Sequence, residues 1–161
     1  MDTDFDPDKH HVTETRYFED FAVGEVFRSP SRTLTDANFQ LFQAVSGDNH
    51  PIHYDREYCR RHGHRDLLAH GFQVLIQTCP GAGLLPHYLG PALIAFIEQS
   101  SRFLGPVYSG DTVYPALTIT GLKPQRTTGV ITLRSTVHNQ NRELVLEGDQ
   151  KLLVRKRDPS A

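Results

Sequence analysis

Asp48 and His53 stand five residues apart in the run Ser46-Gly47-Asp48-Asn49-His50-Pro51-Ile52-His53. A carboxylate and an imidazole on one short loop can take a proton from a small molecule and return it without any cofactor. Pro51 fixes the backbone between them, so neither side chain has to be ordered during a reaction. By itself this spacing also suits a solvated turn, so the surrounding elements decide its meaning.

Those elements can be read on both sides. Thr35-Asp36 offers a helix start, with a Thr cap and an acidic first turn. Ala37, Leu41, Ala44 and Val45 have helical spacing, and Gly47 suits a helix end. The loop therefore hangs from a helix C-terminus. Tyr54 to Leu67 is polar and reads as a short solvated helix followed by a turn at His62-Gly63-His64. From Ala69 the character changes: His70-Gly71 leads into Phe72, Val74, Leu75, Ile76 and Cys79, apolar nearly all round as in a buried helix. Cys79 is expected to fill the core. Pro80-Gly81 interrupts this helix, and residues 82–88 resume it.

The second half has period two. Ala92–Phe103 is strand-like; Leu117 and Ile119 alternate with threonines; so do Ile131, Leu133 and Val137 with polar residues; Leu144, Leu146, Leu152 and Val154 share one parity. Four such runs, separated by Gly105-Pro106, Ser109-Gly110-Asp111, Lys123-Pro124 and Asn139-Gln140-Asn141, predict an antiparallel sheet with one face packed. A first strand is expected near Val26. A buried helix wrapped by an antiparallel sheet, an α+β arrangement, accounts for this order.

With 161 residues and a formal net charge of -2, the chain fits one domain and lacks the basic bias of a nucleic-acid or membrane-surface protein. Its bounds are expected at 15–157, between a flexible acidic tail over 1–14 and a C-terminal tail over 158–161. The basic cluster at Arg155–Arg157 is read as a frayed, solvated end. Neither a signal segment nor a membrane span is read in the sequence. Two cysteines, Cys59 and Cys79, make no disulfide framework, which places the chain in a reducing, cytoplasmic setting. Six of the nine histidines fall between His50 and His87. Asp48 with His50-x-x-His53 and His62-x-His64 could offer ligands, but no cysteine pair or His-Glu-x-x-His helix accompanies them, and no metal is expected.

The loop followed by Ala69-His70-Gly71 resembles the (R)-specific enoyl-CoA hydratases, or MaoC-like dehydratases. Gly47, Asp48, Pro51, Ile52, His53, His70 and Gly71 match the family pattern, and Ser100–Asp111 is similar to its strand and turn after the central helix. The resemblance spans about 17–156. It implies the hot-dog fold and the interconversion of a trans-2-enoyl-CoA with a (R)-3-hydroxyacyl-CoA by syn addition of water. It also implies a homodimer or larger homo-oligomer, an acyl-CoA substrate and no separate cofactor. Asp48 and His53 would then be catalytic. Gly71, opening the helix, would offer its N–H to the thioester oxygen, although a packing role suits it equally; His70 reads as a half-buried helix cap at the substrate site. His50 replaces the family's asparagine and adds a titratable group expected about one hydrogen-bond length from the pair. Arg102, Lys123 and Arg126 are candidates for the coenzyme A phosphates. The stretch with Arg60, Arg61 and Arg65 leaves room for a carboxylated or hydroxylated acyl group. An acyl-CoA thioesterase or a non-catalytic acyl-thioester-binding subunit would use the same fold.

Overall fold

The period-two runs of the second half form the sheet. In the computed structural model, which describes residues 5–157, they become β3 (Leu93–Phe103), β4 (Thr112–Pro124), β5 (Thr128–Asn139) and β6 (Leu144–Arg155). Two short strands, β1 (Val26–Arg28) and β2 (Arg32–Thr33), join them. The order is β1-β4-β5-β6-β3, with β2 also on β4, and every pairing is antiparallel. The alternation in β5 and β6 puts Leu133, Val137, Leu146 and Leu152 on one buried face, while Arg134 and Arg155 point to water.

Helices cover that face. They are α1 (Asp36–Ser46), α2 (Arg56–Arg61), α3 (Gly71–Leu75) and α4 (Leu85–Leu89), with 3₁₀ turns at Pro51–His53, Ile76–Thr78 and Pro80–Ala82. α1 begins where the sequence places it: Thr35 is the N-cap, sharing a capping box with Asn38, and Gly47 ends the helix in the left-handed region at φ 71°. Cys59, Leu67, Val74, Val113 and Leu146 pack together beneath α2 and α3. A second cluster joins Phe18, Leu89, Ile119, Leu133 and Val154. Gln150 of β6 reaches up from the sheet and donates to the Thr78 carbonyl at 3.0 Å and its Oγ1 at 2.9 Å, pinning the end of the helical segment.

Three expectations change. The central helix is not buried all round: Phe72 is 70% exposed and Ile76 47%, because one flank of α3 has nothing over it in the single chain. Cys79 is exposed, whereas Cys59 is the buried thiol; the break at Pro80 turns residue 79 away from the sheet. The basic C-terminal run is tied down through Arg157: Lys156 donates its backbone N–H to Thr127, and Arg157 pairs with Asp20. The tail residues 1–4 and 158–161 lie outside the described residues; Pro7–Lys9 forms a short exposed 3₁₀ turn.

Candidate active site

The loop after α1 is held by its own backbone and by short-range side-chain-to-backbone bonds. The Gly47 N–H returns to Gln43, the His53 N–H donates to His50, and Tyr54 and Asp55 both donate to Pro51. The Leu68 N–H donates to the Ile52 carbonyl at 3.0 Å, and the Ala69 N–H to Val107 at 2.8 Å. These two bonds fasten the loop to the segment entering α3, and that segment to the turn before β4. Arg56 adds a clamp from α2 to Asp36 at 2.8 Å and Asp66 at 2.9 Å.

That scaffold brings three side chains together. Asp48 Oδ2 lies 4.0 Å from His53 Nε2 and 3.4 Å from His70 Nε2. The rings of His53 and His70 stack with centroids 3.5 Å apart. His53 Nδ1 is 2.5 Å from the Leu68 carbonyl. A carbonyl only accepts, so Nδ1 carries the hydrogen, and in the neutral ring Nε2 is left as an acceptor facing Asp48. The Asp48 carboxyl is held below the ordinary carboxylate range, first by the His50 backbone N–H donating to Oδ1 at 3.1 Å, then by the nearby histidines. His70, only 4% exposed, is pushed down from the ordinary histidine value by burial and then by the neighbouring His53. The site thus presents an ionised carboxylate beside a buried neutral imidazole.

His70 occupies the N-cap position of α3, but its side chain makes no capping bond; it turns to Asp48, His53 and the Tyr54 hydroxyl at 3.2 Å. The cap reading is therefore corrected. His50 is corrected too. Its side chain makes no hydrogen bond to the pair: Nδ1 accepts the Ile52 N–H at 3.3 Å, and its ring centroid is 6.3 Å from that of His53. This is the brace that an asparagine oxygen would make, supplied by a ring nitrogen. Gly71 opens α3 and has no intrahelical acceptor for its N–H. A Cβ there would come 3.0 Å from the Phe103 ring, so a close aromatic wall faces this glycine.

The remaining candidates lie apart. His62 stacks on Tyr58 and bonds its carbonyl, and His64 meets the Tyr108 hydroxyl, so this pair is a turn around Gly63. Arg60 pairs with Glu57, Arg65 with the buried Asp111, and Arg102 with Glu147. Lys123 and Arg126 sit at the β4–β5 turn, at the other end of β4 from the Val107–Asp111 segment that supports the site. Among the described residues, Asp48, His53 and His70 form the cluster that could hold a metal ion, with ligand atoms within 4.8 Å of one another. The Tyr54 hydroxyl lies 3.2 Å from His70 Nε2 at the edge of this cluster. Sequence reasoning missed Tyr54, Phe42 and Phe103; Phe42 packs its ring 4.9 Å from His70. Phe103 fell inside the Ser100–Asp111 stretch without being singled out, Tyr54 and Phe42 lie outside any motif, and the tertiary bonds through Leu68 and Val107 help bring their surroundings together.

The MaoC like domain matches residues 20–141, most of the chain. The chain belongs to this family. A MaoC-like relative, the (R)-specific enoyl-CoA hydratase of Rhodospirillum rubrum, is 32% identical over 138 residues, covering 86% of this chain and 91% of that one. The MaoC-like fold also superposes on a solved structure described as monoamine oxidase regulatory protein from Archaeoglobus fulgius, with a TM-score of 0.83, 28% identity and coverage of 92% and 99%. The (R)-hydratase from A. caviae involved in PHA biosynthesis gives a TM-score of 0.69 at 27% identity, covering 85% of this chain and 98% of that one.

Proposed function

We propose that this MaoC-like chain is a hydratase/dehydratase that interconverts a trans-2-enoyl-CoA and a (R)-3-hydroxyacyl-CoA. The observation that carries the reading is the pair of acceptors, Asp48 Oδ2 and His53 Nε2, 4.0 Å apart beside the open N-terminus of α3. One water donating a hydrogen bond of about 2.8 Å to each would bridge that gap with its two hydrogens near a right angle. Both hydrogens are then committed, and the oxygen lone pairs face the substrate.

Hydration follows from this arrangement. The oxygen bonds to C3 while one O–H proton passes to Asp48 or His53. The alkene electron pair moves toward the thioester, leaving enolate charge on its oxygen. That oxygen is met by the Gly71 N–H, a donor typically worth roughly 3–4 kcal/mol of barrier. The captured proton then goes to C2 from the same face, which makes the addition syn. Water, substrate and protein groups suffice, so no cofactor or metal is assigned. A thioesterase reading lacks support here: hot-dog thioesterases commonly use a carboxylate on the central helix, and the polar residues of this one are Gln73, Gln77 and Thr78. Two unpaired cysteines suit the cytoplasm, and no helix of the described residues is long and apolar enough to cross a membrane. A homodimer fits the bare flank of α3 and the free edge of β3.

Asp48→Asn and His53→Ala are expected to lower kcat for hydration about 10²- to 10⁴-fold each, followed as loss of enoyl-thioester absorbance, with an unchanged far-UV circular dichroism spectrum. Near wild-type turnover in either variant overturns the assignment of roles, and release of free thiol in place of enoyl loss overturns the reaction.

A further inference from the structure

A groove of about 290 Å³ runs between α1 and the α3 segment, with Phe42 in its wall. Phe42 links the two: its ring lines the groove and also packs on His70, which touches Asp48 and His53. Leu41, Val45 and Ile76 continue the apolar wall. An acyl chain attached to a thioester at Gly71 would find this wall within reach.

The groove is not apolar throughout. Gln73, two residues beyond Gly71 on α3, is 2% exposed; among the described residues neither of its side-chain amide atoms has a close hydrogen-bond partner, and its polar neighbour is the buried His70 side chain, whose Nδ1 is likewise unbonded. A buried amide left without a partner is costly, and a hydrocarbon tail alone would supply none. Arg32, at the other side of the groove, has no carboxylate within ion-pair distance among the described residues. Asn38 lines the same region, one turn of α1, about 6 Å, before Phe42. By contrast Arg60 and Arg65, nearer in sequence to the site loop, are already paired, and Arg61 is exposed at the end of α2 and does not line this groove. Arg32, without an ion pair among the described residues, and the buried Gln73 amide therefore share one cleft, whose apolar wall leads to Phe42 and so to His70.

We propose that this groove receives the acyl tail of the substrate and that the tail ends in a carboxylate held by Arg32, with Gln73 bonding a polar group nearer the reacting carbons. The proposal rests on the hydratase reading and names its substrate class: short enoyl-CoA thioesters with a distal carboxylate. A terminal carboxylate is a better match than a hydroxyl, because a guanidinium gives it two parallel charge-assisted bonds.

The test compares two substrates of equal carbon number, trans-2-hexenoyl-CoA and the mono-CoA thioester of trans-2-hexenedioic acid. The full-length protein is expected to hydrate the carboxylated substrate with a kcat/KM at least about tenfold higher. Arg32→Gln should collapse that ratio by about tenfold or more, mainly through KM, and Arg32→Lys should restore part of it. Size-exclusion mass of each variant is measured alongside. A wild-type preference for hexenoyl-CoA overturns the proposal, as does an Arg32→Gln variant that loses both substrates in proportion or changes its oligomeric mass. If neither substrate is hydrated at any enoyl chain length, the hydratase reading itself falls and takes this one with it; good turnover of hexenoyl-CoA with none of the carboxylated substrate sinks this proposal alone.

Discussion

At the scale of residues, His70 gives the sharpest prediction. Burial and His53 hold its folded-state value below that of the unfolded chain, so as pH falls the unfolded chain takes up a proton first. Stability from the neutral ring is therefore complete above about pH 6.5, the ordinary histidine value, and is lost as pH falls through the folded value. His70→Phe keeps a ring against His53 and Phe42 but cannot titrate. Urea midpoints measured from pH 8 to pH 4.5 should drop below pH 6.5 in the wild type and fall less steeply in the variant; parallel curves would remove His70 as the source. Asp48 works at lower pH: its depressed carboxyl contributes stability above the ordinary carboxylate range and loses it only in stronger acid. The closeness of Asp48 and His53 was legible because loop, proline and glycine lie within eight consecutive residues. His70 was visible as a motif residue but not as a partner, since its stacking on His53 depends on the Leu68-to-Ile52 backbone bond, which no local pattern encodes. His50 was misplaced for a related reason: at i, i+2 its ring reaches the Ile52 N–H more readily than it reaches the side chain of Asp48 or His53.

Elements show the same division. The four long strands and the start and end of α1 follow from alternation and capping, because each signal is local. β2, two residues long, leaves no periodic trace and exists because β4 pairs with it. The central helix misled in another way: an apolar run was read as wrapped on all sides, and its Phe72 flank is bare. What holds β3 on the sheet is equally hidden in a single letter. Gly148 of β6 faces β3 so closely that a Cβ would lie 2.0 Å from the Ser100 carbonyl oxygen, a backbone atom that cannot turn away. Gly148→Ala is expected to destabilise the protein by at least ~2 kcal/mol, through lost β3–β6 pairing. Gly121 in β4 is the control: its added Cβ would meet Thr132 Cβ at 3.5 Å, ordinary contact, and Gly121→Ala should stay within roughly 1 kcal/mol of wild type. Equal shifts for both in urea denaturation would mean that the close approach of β3 is not what Gly148 permits.

For the whole molecule, β3 is the element that remains unfinished. Among the described residues it pairs with β6 along one edge and with nothing along the other. Phe96, Ile97 and Phe103 are each about half exposed on it, and the Phe72–Ile76 flank of α3 is bare as well. A long apolar edge strand is a template for pairing, and a second copy related by a two-fold axis would satisfy its free N–H and C=O groups with the same residues from both sides. Each large side chain covered in this way contributes about 1.5–3 kcal/mol. The site is tied to this surface, because Phe103 belongs to β3 and its ring lies against Gly71. Closing the edge would therefore fix the wall facing the thioester, and separating two copies would loosen it. The double variant Phe96→Lys with Ile97→Lys puts four like charges at a two-fold edge contact. It should convert a species of twice the chain mass in sedimentation to a single chain and cut hydration at least about tenfold, the cost of a loosened aromatic wall at a reacting centre. A wild-type protein that sediments as one chain, or a monomeric variant with full turnover, would separate the edge of β3 from the chemistry at Asp48 and His53.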